Sequence, residues 1–184
     1  MSGHIEQPDE HGRIDEHAHG NRKAAILIAS LAALLAISET MGKSAQTEAV
    51  TLTIRESDTW NYYQAKTTRQ VVVDSDGELI ALLEPSPARD ALKEKWAQES
   101  EHIKSDPKAG REALRSMAES LQHQANERLE AYHRFELGSA AFQIAIVLAS
   151  AAIVTAAPIL TYVAIAGGAA GLILDAWGAL IFFG

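Results

Sequence analysis

The sequence of 184 residues lacks cysteine and contains few aromatic residues, with three tryptophans, four tyrosines and four phenylalanines. The absence of cysteine excludes disulfide bridges, thiolate metal sites and cysteine nucleophiles. The scarcity of aromatic rings leaves too few platforms for stacking against nucleobases. A formal net charge of −8 also opposes binding to a polyanion, so we expect no nucleic-acid partner.

Charged residues are missing from two long parts of the sequence. None occurs from Ala24 to Ser38, and Asp175 is the only one from Leu137 to Gly184. Uncharged apolar runs of about 20 residues are typical of helices that span a bilayer. The sequence therefore predicts an all-α membrane protein with three transmembrane helices, in contact with membrane lipid, and a polar extramembrane insert.

The alternation of apolar and charged stretches divides the chain into five segments. Because proline cannot continue a helix, Pro158 predicts a tight hairpin of two spans rather than one long kinked helix. The first apolar run is short for a span, and a cleaved signal peptide is its alternative reading. The predicted segments are a disordered, acidic, histidine-containing tail (1–23), a transmembrane helix (24–42), an extramembrane helical hairpin (43–136) and two transmembrane helices (137–157 and 159–183).

Apolar residues of the middle segment recur at steps of three and four, which predicts a helical hairpin or coiled coil. Glu84-Pro-Ser-Pro87 predicts the tip of this hairpin, and Asp106-Pro107 with Gly110 predicts a break in the returning arm. Residues 71–83 fit either a short strand pair or a helix with a local break, and we favour the helix. The predicted contact positions are Ala45, Ala49, Leu52, Thr59, Tyr63, Leu92, Trp96, Ile103, Leu114, Met117, Leu121, Ala125, Leu129 and Tyr132.

Small residues follow one face of each predicted span, as in closely packed membrane helices. On the third span this face contains Gly168, Gly171, Asp175 and Gly178, our candidates for a helix interface. A carboxyl group in lipid is costly, so we expect Asp175 to face another helix. A proton or ion path and a position reached by interfacial water are the alternatives for Asp175. The comparable faces of the other spans are Ala145, Ala149, Ala152 and Ala156, and Ala25, Ala29, Ala32 and Ala36.

Two motifs carry a resemblance to a known family. The first is Glu56-Ser-Asp-Thr-Trp-Asn-Tyr-Tyr-Gln-Ala-Lys66, and the second is Tyr132-His-Arg-Phe-Glu-Leu-Gly138 running into Phe142. With a preceding apolar span, they resemble an uncharacterised bacterial membrane family, domain of unknown function 4337. The resemblance covers roughly residues 22–180. It implies an N-terminal span, a long helical insert and a C-terminal pair of spans, and it implies no activity.

The rings of the first motif have two interpretations. Trp60, Tyr62 and Tyr63 are candidates for a recognition surface that binds a partner. Alternatively, they pack against the returning helix, where we expect them opposite the stretch from Leu121 to Tyr132.

The sequence contains no glycine-rich phosphate loop, nucleophile elbow or zinc-protease motif. His102, His123 and His133 lack regular metal-ligand spacing, so we expect no metal, no cofactor and no enzymatic activity. The leading hypothesis is a scaffold or accessory subunit of a bacterial inner membrane, assembled as a homo-oligomer or within a larger complex. The alternatives are a small channel or proton-translocating element that uses Asp175, and a periplasmic binding or sensing module that uses Trp60, Tyr62 and Tyr63.

Arg22 and Lys23 precede the first span and predict a cytoplasmic N-terminus, with residues 43–136 in the periplasm. Arg128 and Arg134 precede the second span and favour the opposite orientation. The first pair is given more weight, because the rule loses force across a segment as long as the middle one.

Single introduced cysteines test this topology, because the chain has none of its own. We expect Ser100→Cys to react with a membrane-impermeant thiol reagent in cells with a permeabilised outer membrane. Ser2→Cys should react only after lysis. The reverse pattern would place residues 43–136 in the cytoplasm.

Overall fold

The computed structural model describes the backbone from Glu10 to Gly184 and side chains from Arg22 onward. The described residues are 92% helix and include no strand, so the prediction of an all-α fold is confirmed. Three of the helices are long and apolar enough to cross a membrane. In chain order the helices are α1 (Glu10–Ala81), α2 (Pro87–Ser105), α3 (Arg111–Thr155) and α4 (Pro158–Phe183).

The helices end where local sequence forces a change of backbone. Ser86 caps α2 by accepting the backbone N–H of Arg89 at 3.2 Å, and Pro87 occupies the first turn. Pro158 likewise occupies the first turn of α4, where Ala157 provides no side-chain cap. Between α3 and α4, Ala156 has a φ of 53°, the left-handed conformation in which helices often end. Proline and capping residues therefore set the tip of the hairpin and the turn before the last helix.

Two predictions about the extent of the first helix differ from the structure. Residues 1–9 of the predicted disordered tail lie outside the described part of the chain, and α1 begins at Glu10, well before Ala24. Residues 71–81 are helical as favoured, but the expected local break is wrong, because α1 continues through them without interruption. A helix that is already formed on both sides extends through Asp-Ser-Asp-Gly more readily than a new one begins there.

The chain divides into two compact units. The first, here called the apolar unit, comprises Met1–Gln46 and Leu129–Gly184. The second, here called the charged unit, is Thr47–Arg128. In the apolar unit, Leu31, Phe142 and Ala145 form one buried cluster, and Ala45, Ala131 and Phe135 form another.

The outside of the apolar unit is itself strongly apolar. Val154 is 87% exposed, Leu180 is 76% exposed and Val147 is 65% exposed. Such a surface is unfavourable in water and suits contact with lipid chains.

The small-residue faces of the three spans differ in how far they are buried. Gly168, Gly171 and Gly178 are buried on α4, as are Ala145, Ala149 and Ala152 on α3. The alanine face of α1 does not lie in the bundle, because Ala25, Ala29, Ala32 and Ala36 are exposed, as is Ala156 after α3. α1 instead buries Leu31 and Ser38. The glycines of α4 leave space for a large α1 side chain, so small residues on α1 are not required at this contact.

The charged unit has a thin core. Leu52 of α1 packs with Leu121 and Ala125 of α3, and Ile103 of α2 is buried. Three of the predicted contact positions of the middle segment are exposed, namely Leu92, Met117 and Leu129. α2 is joined to α1 by hydrogen bonds from Arg69 to Glu99 and from Ser100 to Asp74, both 2.6 Å long. Coiled-coil packing in this unit stays a prediction.

Asp106 lies in the turn between α2 and α3 and accepts the backbone N–H groups of Ala109 and Lys108 at 2.8 Å. These hydrogen bonds lower the pKa of the Asp106 carboxyl below its ordinary value. Because the folded pKa is the lower one, the carboxylate stabilises the turn above the unfolded pKa. This stabilisation is lost as the pH falls through the folded pKa.

We therefore expect the melting temperature of Asp106→Asn to lie below that of the wild type at pH 7. The difference should shrink as the pH falls below about 4, because the carboxyl group then binds a proton first in the unfolded state and, at still lower pH, in the folded state. Thermal circular dichroism in detergent measures both values. Asp58→Asn removes the same charge at an exposed position of α1 and serves as the control. A difference between Asp106→Asn and the wild type that is independent of pH would contradict this role.

Candidate functional site

A cluster of polar side chains lies inside the apolar unit and joins its three helices. Ser38 Oγ of α1 donates to Asp175 Oδ1 of α4 at 2.9 Å and lies 3.0 Å from the carbonyl oxygen of Phe135. Ser139 Oγ of α3 donates to Ser38 Oγ at 2.9 Å. Ser38 is completely buried, and Ser139 is 8% exposed. We call Ser38, Ser139 and Asp175 the Ser-Ser-Asp cluster.

Ser38 is the centre of this cluster because its hydroxyl group both accepts and donates. A hydroxyl group has one hydrogen, so Ser38 donates either to Asp175 or to the Phe135 carbonyl at a given moment. Its lone pairs meanwhile accept the hydrogen bond of Ser139. A buried hydroxyl without partners would destabilise the bundle, and this arrangement leaves none in the cluster unpaired.

Close approach of the helix backbones makes the cluster fit. A Cβ atom added to Gly138 would overlap Asp175 Oδ1 and lie 3.3 Å from the carbonyl oxygen of Gly171. A Cβ atom on Gly171 would lie 2.9 Å from the Phe142 ring, and one on Gly178 would lie 3.0 Å from Arg134 Cβ. The glycines at these positions therefore bring α3 and α4 together around the aspartate.

The four sequence candidates on α4 face the other two helices. Gly171, Asp175 and Gly178 contact α3, and Asp175 also contacts α1 through Ser38. Gly168 faces α1, because a Cβ atom there would lie 2.7 Å from Leu31 Cδ2.

The Ser-Ser-Asp cluster lies near the polar end of the apolar helices. Glu39 follows Ser38 directly, and Gln143 donates to its carboxylate at 3.4 Å. One turn away on the outside, the guanidinium carbon of Arg134 lies 4.7 Å from the centre of the Trp177 ring. Tryptophan and arginine are common where a membrane helix meets water. These neighbours favour a position near interfacial water over one in the middle of the membrane.

A groove of about 450 Å³ opens between α1 and α3 next to this cluster. Ser38 and Ser139 belong to its lining, so the cluster is in contact with the groove. Around them lie Glu39, Lys43, Tyr132, Phe135, Glu136 and Gln143.

The three rings proposed as a recognition surface do not share one face. The Trp60 and Tyr63 rings meet edge to face with their centres 5.4 Å apart. Tyr62 is on another side of α1, is 47% exposed, and has Lys66 Nζ 5.6 Å from its ring centre. The structure therefore pairs Trp60 with Tyr63 and separates Tyr62 from them.

Tyr63 contacts α3 at Arg111 rather than at the expected stretch from Leu121 to Tyr132, where our placement was wrong. Arg111 donates to Tyr63 Oη at 3.2 Å and to Gln70 Oε1 at 2.6 Å. The hydrogen bond from Arg111 lowers the pKa of the Tyr63 hydroxyl below its ordinary value. This ring is thus part of the packing between α1 and α3 in the charged unit.

Several residues of the site were not among the sequence candidates. Ser38 ends the first apolar run, and Ser139 interrupts the second. A hydroxyl residue at such a position was the sequence feature that could have identified them. Phe135, Gly138 and Phe142 belong to the second motif of the family resemblance, and the structure buries all three. No group of three histidine, aspartate or glutamate side chains suited to a metal ion occurs from Arg22 onward, where side chains are described.

Comparison with known proteins identifies a family. The model of a family described as a domain of unknown function, DUF4337, matches residues 20–181. No curated protein and no solved structure matches the chain.

The contact between Gly138 and Asp175 predicts that substitution by alanine will affect stability very differently at two glycines of the apolar unit. Gly138→Ala should lower stability by roughly 1–3 kcal/mol, because the added methyl group overlaps the carboxylate. Gly167→Ala is the matched control, since its Cβ atom would lie at an ordinary 3.6 Å from Ala145 Cβ. Alanine also favours helix over glycine by up to about 1 kcal/mol, so Gly167→Ala should be neutral or stabilising.

Reversible unfolding of both variants in detergent, followed by circular dichroism, measures this difference. Combining Gly138→Ala with Asp175→Ser should restore part of the loss, because the shorter side chain removes the overlap. Equal stability of the two glycine variants would contradict the contact.

Proposed function

The chain belongs to the DUF4337 family, and we propose that it acts as a non-enzymatic membrane scaffold or accessory subunit. The family description names no activity, so the proposal rests on the chain itself. Its main support is that Asp175, the only acidic residue within the last two apolar segments, accepts a hydrogen bond from Ser38 of its own bundle, and Ser139 donates to Ser38 in turn. A carboxyl group used in this way fixes helices together.

The surface of the apolar unit supports a membrane location. Three helices have the length and apolar character of spans, and large apolar side chains such as Val154 and Leu180 point outward. Residues of the charged unit are the ones that water can solvate, and they would be available to a protein partner. We place the chain in a bacterial inner membrane, with assembly as a homo-oligomer or within a larger complex.

The arrangement of Ser38 and Asp175 differs from that of a hydrolytic site. In serine hydrolases a histidine between the serine and the carboxylate takes the proton of the nucleophile. Here Ser38 Oγ donates directly to Asp175 Oδ1, and its other contacts are the Phe135 carbonyl and Ser139. This geometry supports a structural role for the pair.

One observation favours a second candidate, a proton-translocating element. Ser38 and Ser139 line the groove between α1 and α3, and Ser38 also contacts Asp175. Hydroxyl groups therefore connect the groove to a carboxyl group on the opposite side of Ser38. A chain of this kind can pass a proton, and flux measurements separate it from a purely structural cluster.

Two substitutions of Asp175 test the structural role against the transport role. Asp175→Asn keeps the shape and the hydrogen bond from Ser38, so we expect its stability and native mass to stay close to those of the wild type. Asp175→Leu removes the acceptor that Ser38 has on α4 and puts a larger apolar side chain next to Gly138, so it should cost roughly 1–3 kcal/mol. Ala176→Leu adds the same side chain at the neighbouring exposed position and is the control.

Thermal unfolding and native mass spectrometry in mild detergent measure these effects, and pH-sensitive dyes in liposomes measure proton flux. Wild-type flux that disappears in Asp175→Asn at unchanged stability would replace the scaffold proposal with the second candidate. A wild-type chain that is monomeric and carries no partner after crosslinking in cells would also contradict a scaffold or subunit role.

A further inference from the structure

The groove between α1 and α3 in the apolar unit has the lining of a binding site for a molecule with both a polar and an apolar part. We propose that it binds the headgroup of a phospholipid carrying a primary ammonium group, as in phosphatidylethanolamine. The inference rests on the membrane location in the proposed function and does not depend on the scaffold role.

The shape of the groove comes from small residues on two neighbouring helices. Gly42 of α1 and Ser139 and Ala140 of α3 leave a volume of about 450 Å³, while α4 contributes no lining residue. Gly42 also lets the two walls approach closely, since a Cβ atom there would lie 3.3 Å from Phe135 Cβ. A phosphoethanolamine group is small enough for this space.

The position of the groove along the helices fits the headgroup level of a bilayer. The uncharged run of α1 ends at Ser38, and that of α3 begins at Leu137, so both groove walls contain the boundary between apolar and charged sequence. From Ala140, the same face of α3 continues through Ile144 and Val147, which are 61% and 65% exposed. Acyl chains attached to a headgroup in the groove would lie along this apolar face.

The charges of the groove match an ammonium group better than an anion alone. Glu39 and Glu136 lie on opposite walls. The contacts to their carboxylates are long, at 3.4 Å from Gln143 Nε2, 3.4 Å from Tyr132 Oη and 3.5 Å from His133 Nδ1. Two carboxylates with such loose contacts keep room to accept the three N–H bonds of a primary ammonium group.

Lys43 adds a positive charge to the same groove. A positive charge in the lining is complementary to a phosphodiester, as the two glutamates are to the headgroup amine. Phosphatidylglycerol offers no cation to the glutamates, and the quaternary ammonium of phosphatidylcholine has no N–H to donate. The groove should therefore select phosphatidylethanolamine over both.

Native mass spectrometry of the full chain tests this selectivity. The protein is released from mild detergent in the presence of equal amounts of phosphatidylethanolamine, phosphatidylcholine and phosphatidylglycerol with identical acyl chains. We expect phosphatidylethanolamine adducts to exceed either competitor by about tenfold, the ratio that one charge-assisted hydrogen bond provides. The wild-type ratio alone tests the proposal, whether or not a variant folds.

Charge-neutral variants assign the selectivity to the groove. Glu39→Gln with Glu136→Gln should reduce the ratio to about one, because the amides no longer attract the ammonium group. Glu130→Gln removes the same charge from α3 outside the groove, where Glu130 contacts Arg134, and should keep the wild-type ratio. Circular dichroism confirms that each variant is folded.

Equal retention of the three lipids by the wild type would overturn the proposal, as would full selectivity in the doubly neutral variant. Lipid-free dimers crosslinked through Ala140→Cys would instead show that a second copy covers the groove. Failure of the underlying membrane location is distinguishable, because the chain would then be released from membranes by alkaline carbonate without detergent.

Discussion

The hydrogen bond between Ser38 and Asp175 is the contact on which the apolar unit depends most. The half-buried carboxyl group of Asp175 is costly in apolar surroundings unless a donor faces it, so the hydrogen bond from Ser38 favours one rotation and one height of α4 against α1. Ser139 extends the same requirement to α3 by donating to Ser38. Apolar side chains alone would allow the three helices to slide and rotate with little change in energy. The polar cluster makes their register specific.

The hydrogen bond between Ser38 and Asp175 requires glycines beside the cluster. The aspartate reaches Ser38 only if α3 and α4 approach closely, and Gly138 and Gly171 permit that approach. The same closeness gives Phe142 and Leu31 their contacts with Gly171 and Gly168. Large side chains of one helix thus occupy the space left by glycine on another, which provides dense packing without a hydrophobic driving force between spans in lipid.

The charged unit is stabilised differently. Its buried apolar side chains are few, and its ion pair between Arg69 and Glu99 is exposed and contributes about 0–1 kcal/mol. The interaction of Arg111 with Tyr63 and Gln70 is more specific, because one guanidinium group contacts two polar side chains of α1. This unit has a thin core and a largely polar surface.

Local sequence determined most of the architecture. Charge-free runs predicted the three apolar helices, and proline with its neighbours predicted the turns at residues 82–86, at 106–110 and before α4, because helix termination depends on adjacent residues. Helical spacing also predicted which residues of α4 share a face with Asp175. The sequence equally suggested a packed alanine face on α1 and one surface of three rings. In the structure the alanines of α1 are exposed, and Tyr62 is on another side of α1 from Trp60 and Tyr63.

The tertiary structure decided which side chains meet. Ser38 and Asp175 are 137 positions apart, and no spacing rule relates residues on different helices. Small residues permit close packing, but their pattern does not determine whether another helix or lipid packs against them. On α1 the alanines lie on the outside. The groove between α1 and α3 depends on residues of two helices that are roughly a hundred positions apart. The periodicity of the sequence determines which residues share a helix face. Hydrogen bonds between polar groups on different helices determine which faces meet.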